Sequence, residues 1–133
     1  DAWESYKKFA MVRNPYSRAV SIYKYMCKTA SHAPHQKFNL DTFSKFIRCA
    51  AFQDGFYIAA SQVSFLADED VKCFQLERLQ EQCEDIAVWL GLDRPLLMVR
   101  KNQSPGNVAL TAEDRDLILN LWREDFRRFG YQH

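Results

Sequence analysis

The sequence is 133 residues long, 47% hydrophobic and 26% charged, with 18 Lys and Arg against 17 Asp and Glu for a formal net charge of +1. That length suits a single domain with one core, and so small a net charge disfavours a nucleic-acid binder that works by charge neutralisation, so any anion site has to be local. Four Gly and four Pro in the whole chain exclude collagen-like and low-complexity classes, and no run approaches the roughly 18 apolar residues of a membrane span.

In chain order, Tyr6 to Val12 ends in a short apolar run that stops at Arg13-Asn14-Pro15, the pattern of a buried strand feeding a turn. Asn14 suits a helix cap and Pro15 a first helical turn, which predicts a helix from about Pro15 to Thr29. Ser31 to Asn39 carries His32, Pro34 and His35 without periodicity and reads as a loop. Leu40 to Ala51, with Phe43, Phe46 and Ile47 at helical spacing, reads as a second helix that Asp54-Gly55 breaks. Phe56 to Ala67 is an irregular connection and Asp68-Glu69-Asp70 a turn, and Val71 to Phe74 alternates like a short strand.

Leu76, Leu79, Cys83, Ile86 and Leu90 then make one apolar stripe, closed by Gly91 and by Pro95 beyond it. Leu96 to Val99 is expected to form a third strand and Arg100 to Val108 a polar loop. Thr111-Ala112-Glu113-Asp114 has the form of a capping box for an amphipathic helix that carries Leu117, Ile118, Leu121, Trp122, Phe126 and Phe129 and ends at Gly130. Cys27, Cys49, Cys73 and Cys83 form no Cys-x-x-Cys pair. They are expected to be buried thiols rather than metal ligands.

The order of strands and helices predicts an α/β fold, helix-rich, with a short and mostly parallel sheet flanked by helices. In such sheets ligands sit beyond the carboxyl ends of the strands, which places Arg13 and the Arg100-Lys101 loop at ligand-facing positions. Arg13 between a strand and a helix N-terminus has the layout of a phosphate site, with a guanidinium fork beside outward-pointing N–H groups. Asn14, Ser17 or Arg18, and Ser21 follow at helical steps, so the Ser21 hydroxyl can face the same anion. The plainer physical reading of the same residues is a surface salt bridge at Arg13 and an ordinary helix-surface Ser21.

The run Phe9-Ala10-Met11-Val12-Arg13-Asn14-Pro15-Tyr16-Ser17-Arg18-Ala19-Val20-Ser21-Ile22-Tyr23 closely resembles the segment with which sulfotransferases hold the 3′-phosphate of their donor, 3′-phosphoadenosine 5′-phosphosulfate (PAPS). The text around Gln62 to Leu66, Val71 to Phe74, Glu77-Arg78-Leu79 and the closing Trp122 to Tyr131 resembles the carbohydrate branch, the Golgi-type and bacterial family 2. The resemblance implies a partial P-loop-like fold and transfer of a sulfuryl group from PAPS to a hydroxyl or amine of a carbohydrate-like acceptor. Arg13 and Ser21 would bind the nucleotide, Arg100 and Lys101 would add contacts to it, and no metal is implied. The catalytic base is not assigned. His32 and His35 are weighed for it against exposed loop histidines, and Glu77 reads as complementing a helix dipole. Trp3, Trp89 and Trp122 are expected to be packing residues.

Family members carry a phosphosulfate-binding turn upstream of this motif. Only Asp1 to Lys8 precede Phe9 here, so the chain is expected to correspond to the C-terminal portion of the domain. A strand edge left bare would favour self-association. The alternative is a non-catalytic module that keeps the nucleotide half-site for binding or folding. The resemblance implies the Golgi lumen for a eukaryotic source and the cytoplasm for a bacterial one.

Overall fold

The computed structural model describes residues 2–66, 70–94, 96–97 and 106–133. After a short helix α1 (Ala2–Ser5), the apolar run forms β1 (Phe9–Val12), which pairs in parallel with β2 (Lys72–Gln75), Phe9 opposite Lys72 and Val12 opposite Gln75. Parallel neighbours require a long crossover, and residues 13–71 supply it. The helices it carries are α2 (Pro15–Lys28), α3 (Phe43–Arg48) and α4 (Ala50–Gln53). After β2 come α5 (Leu79–Leu90), α6 (Ala112–Leu121) and α7 (Arg123–Phe129). The expected helix-rich α/β architecture is present, and among the described residues the sheet has two parallel strands flanked by helices.

Local signals set most of the helix ends. Asn14 Oδ1 accepts the N–H groups of Tyr16 (2.9 Å) and Ser17 (3.5 Å), and Pro15 opens α2. Thr111 and Asp114 complete the capping box of α6, while Gly91 and Gly130 close α5 and α7 in the left-handed conformation that only glycine adopts without steric cost.

Several expectations need correction. The second helix starts at Phe43 rather than Leu40, because the Thr42 hydroxyl caps it by accepting the N–H of Lys45 (3.2 Å). It is split at Cys49, whose backbone is extended, with Gln53 Nε2 donating to the Ile47 carbonyl (2.9 Å). The last helix breaks at Trp122, where the indole N–H turns inward to the Ala59 carbonyl (3.2 Å). Leu76–Arg78 is a tight 3₁₀ turn ahead of α5. Leu96 and Leu97 run as coil, with Leu97 exposed, while Met98, Val99, Arg100 and Lys101 lie outside the described residues. The cysteines are free, as unpaired thiols should be, but none is fully buried and Cys27 is exposed.

The core lies among α2, α3, α4, α6 and α7. Ala19, Ile22, Met26, Phe43, Phe46, Ile47, Phe52, Ile118, Trp122 and Phe126 are closed off from solvent in one cluster. Phe46 and Phe52 meet edge-on at 5.0 Å between ring centroids, and Phe52 stacks obliquely on Trp122 at 5.2 Å. The sheet flanks this body. On one face Phe9 and Phe74 meet Trp89 of α5 (ring centroids 6.1 and 6.3 Å apart). On the other, Gln75 Nε2 donates to the Phe129 carbonyl at the end of α7 (2.9 Å). Both sheet faces are thus used, and the carboxyl end of β1 points into the seam between the two halves.

Candidate functional site

The seam is the turn that follows β1, residues 12 to 18. Arg13 is half-buried there, and its backbone is gripped by one side chain at both ends: the Arg13 N–H donates to Gln62 Oε1 and Gln62 Nε2 donates to the Arg13 carbonyl, each at 2.8 Å. Gln62 is itself held, since the buried Asp125 carboxylate accepts the backbone N–H groups of Gln62 (2.8 Å) and Val63 (2.9 Å). A buried carboxylate is tolerated only with such donors around it.

Glu77 bridges the next position. Its Oε1 accepts the Asn14 N–H (2.6 Å) and its Oε2 accepts the Tyr131 hydroxyl (2.7 Å), and that hydroxyl also lies 3.2 Å from the Val12 carbonyl. Burial, reinforced by Glu77, pushes the Tyr131 hydroxyl far above its ordinary range, against the opposing charge of Arg13. It therefore stays a proton donor at any ordinary pH. Arg18 crosses the same seam from α2, donating to the Ile58 carbonyl (2.8 Å) with its guanidinium 4.6 Å from the Trp122 ring centroid. Burial lowers its pKa and the charge of Asp125 works against that shift.

This bonding changes the expected chemistry of the turn. The sequence suggested a guanidinium beside free backbone donors, yet the N–H groups of Arg13, Asn14, Tyr16, Ser17 and Arg18 all have partners within the chain. What remains for an anion is side-chain chemistry. The Arg13 guanidinium and the half-buried Ser21 hydroxyl, two turns into α2, have no hydrogen-bond partner among the described residues. A planar cationic fork and a hydroxyl on the same stretch of chain are the groups that suit a phosphate monoester. Three residues beyond Ser21, the Lys24 ammonium donates to the Gly106 carbonyl, which ties that residue to α2. Arg100 and Lys101 lie outside the described residues.

The histidines separate. His32 is exposed, whereas His35 is fully buried, which removes the exposed-loop reading for it. Its Nδ1 lies 2.9 Å from both the Thr29 hydroxyl and the Thr29 carbonyl. Since that hydroxyl donates to the Tyr25 carbonyl (2.7 Å), Nδ1 carries the proton and fastens the end of α2. His35 is a structural histidine. Glu77 also does more than complement a helix dipole, because both of its oxygens fix the turn. Trp122 is core as expected, Trp89 is half-buried against the sheet, and the Trp3 side chain lies outside the described residues.

The residues that residue-level reading missed are Gln62, Asp125 and Tyr131. Asp125 was detectable as an acid placed among Trp122, Phe126 and Phe129 on the apolar side of its helix. Among the described residues no group of three or more His, Cys, Asp or Glu stands together as a metal would need, and no helix is long and apolar enough to cross a membrane. A surface cavity of about 480 Å³ between β2 and α5, lined by Lys72, Phe74, Gln82, Asp85 and Trp89 among others, includes neither Arg13 nor Ser21.

Comparison with known proteins gives one finding. The model of a family described as the sulfotransferase family matches residues 1–132. No curated protein and no solved structure matches the chain.

Proposed function

The chain belongs to the sulfotransferase family, and from that premise we propose that it binds PAPS through Arg13 and Ser21 and serves transfer of the sulfuryl group to a hydroxyl or amine of a carbohydrate-like acceptor. The observation that carries this reading is the turn itself. Arg13 is fixed by its backbone at the carboxyl end of β1 while its guanidinium stays free of partners among the described residues, on the same stretch as the free Ser21 hydroxyl.

In the reaction the acceptor's oxygen or nitrogen attacks sulfur in line with the bond to the 5′-phosphate. The sulfur–oxygen bond to the nucleotide breaks, the proton leaves the acceptor for a base, and 3′-phosphoadenosine 5′-phosphate departs. Much of the rate in such transfers comes from holding the donor in place. Arg13 and Ser21 contribute at that level, by anchoring the 3′-phosphate away from the reacting sulfur.

The test is calorimetric titration with 3′-phosphoadenosine 5′-phosphate up to millimolar concentration. Saturable binding is expected, roughly tenfold or more weaker in Arg13→Ala because a charge-assisted pair is lost, and weaker by a smaller factor in Ser21→Ala. A folded wild-type chain that shows no saturable binding would overturn the reading. Binding without any sulfuryl transfer to acceptors would instead favour a non-catalytic nucleotide-binding module.

A further inference from the structure

The backbone of the Arg13 turn is held by side chains that come from three distant parts of the chain. Val12 offers its carbonyl, Arg13 both its polar groups and Asn14 its N–H, and these are met by Tyr131, Gln62, and Glu77 respectively. Such a degree of tethering is unusual for a surface turn, whose polar groups ordinarily bond to water. The arrangement leaves the turn few ways to relax when a ligand arrives, and fixing a binding group beforehand removes an ordering cost from binding.

We propose that Glu77 and Tyr131 are positioning residues for donor binding, closing the C-terminal end of the chain onto the Arg13 turn. The inference rests on the proposed reading of Arg13 as the phosphate-binding group. Glu77 is the hinge of the device, because its two oxygens join the turn to Tyr131, 2.6 Å from the Asn14 nitrogen and 2.7 Å from the tyrosine oxygen. The single hydroxyl proton of Tyr131 goes to the nearer acceptor, Glu77, and the Val12 carbonyl at 3.2 Å takes a weaker share. Burial keeps that hydroxyl protonated, so the contact persists across the working pH range.

The geometry makes an asymmetric prediction for variants at one site. In Glu77→Gln the amide oxygen still accepts from Asn14, the amide nitrogen donates to the tyrosine oxygen, and the tyrosine proton turns to Val12. Each polar group keeps a partner. In Glu77→Ala and Tyr131→Phe the tether is cut.

The experiment measures affinity for 3′-phosphoadenosine 5′-phosphate by calorimetry in wild type, Glu77→Ala, Glu77→Gln and Tyr131→Phe, together with hydrogen exchange at the Arg13 and Asn14 amides. Ser44→Ala, which removes the 2.9 Å contacts to Asp114 in the helical body, serves as a control for a general loss of stability. Expected are affinities about five- to tenfold weaker for Glu77→Ala and Tyr131→Phe, near-wild-type affinity for Glu77→Gln, faster exchange at the two amides only where affinity falls, and no affinity change in Ser44→Ala. Wild-type affinity in Tyr131→Phe and Glu77→Ala would overturn the inference and leave the proposed function standing. A loss that simply follows thermal stability in every variant, Ser44→Ala included, would also overturn it. Absence of binding by the wild type would overturn the proposed function and this inference together.

Discussion

The helical body and the sheet with its α5 cover are held together by different means. In the body, Phe46, Ile47, Ile118 and Met26 are wholly closed to solvent, and the packing of one aromatic against the next does most of the work. Around the sheet, Phe9, Met11, Leu76, Val88 and Leu92 remain exposed to between 37% and 78%, so the same residue types contribute far less per side chain. The Arg13 turn lies between the two. Its backbone is fixed by the Gln62 amide, the Glu77 carboxylate and the Tyr131 hydroxyl, whose bonds are directional and so set where the turn holds its residues.

The contrast is broken most severely from the body side. Phe46→Ala removes a ring that touches Tyr23, Phe38 and Phe52 and is expected to destabilise the fold by about 3–5 kcal/mol, the usual cost of a large-to-small change in a closed core. Chemical denaturation would show it as a lower midpoint at unchanged slope.

Asp114 gives a smaller and pH-dependent effect. Burial alone would raise its pKa, but hydrogen bonds from Arg48 (2.6 Å), Ser44 and Thr111 outweigh that and hold it below the ordinary carboxylate value. A group whose folded pKa is depressed contributes stability above its unfolded pKa of about 3.9, and loses it as pH falls through the folded value. Asp114→Asn is expected to cost about 1–3 kcal/mol near neutral pH and to flatten the acid limb of the stability curve below about pH 4. An unchanged acid limb would remove the ion pair from the account. At the other extreme stands Val88→Ser on the exposed side of α5, where a change within about 0.5 kcal/mol is expected. A loss comparable to that of Phe46→Ala would show that the sheet side is packed as tightly as the body and would dissolve the contrast.

What the sequence made legible follows the same division. Asn14, Pro15, Thr111 with Asp114, Gly91 and Gly130 act within one turn of themselves, and the helix ends they imply are where the structure has them. The breaks at Cys49 and Trp122 were not legible, because helical periodicity continues through both and the decision is made by distant partners such as the Ala59 carbonyl. His35 was misread for a related reason. A loop without periodicity suggests exposure, whereas this one folds its histidine onto the end of α2. At the candidate site, Arg13 and Ser21 stand out by motif, but the tethers Gln62, Glu77 and Tyr131 lie 49, 63 and 119 positions from their backbone partners, and no local pattern predicts such contacts.

The most direct test of the central claim asks whether Arg13 reads the 3′-phosphate itself. Affinities of wild type and Arg13→Ala are measured for 3′-phosphoadenosine 5′-phosphate and for adenosine 5′-phosphate, which lacks that group. If Arg13 binds the 3′-phosphate, removing the side chain and removing the phosphate each weaken binding roughly tenfold or more, and doing both costs little beyond either alone, the signature of a direct pair. Additive losses, with Arg13→Ala weakening both ligands by the same factor, would contradict the account and place the arginine elsewhere on the nucleotide or outside its site.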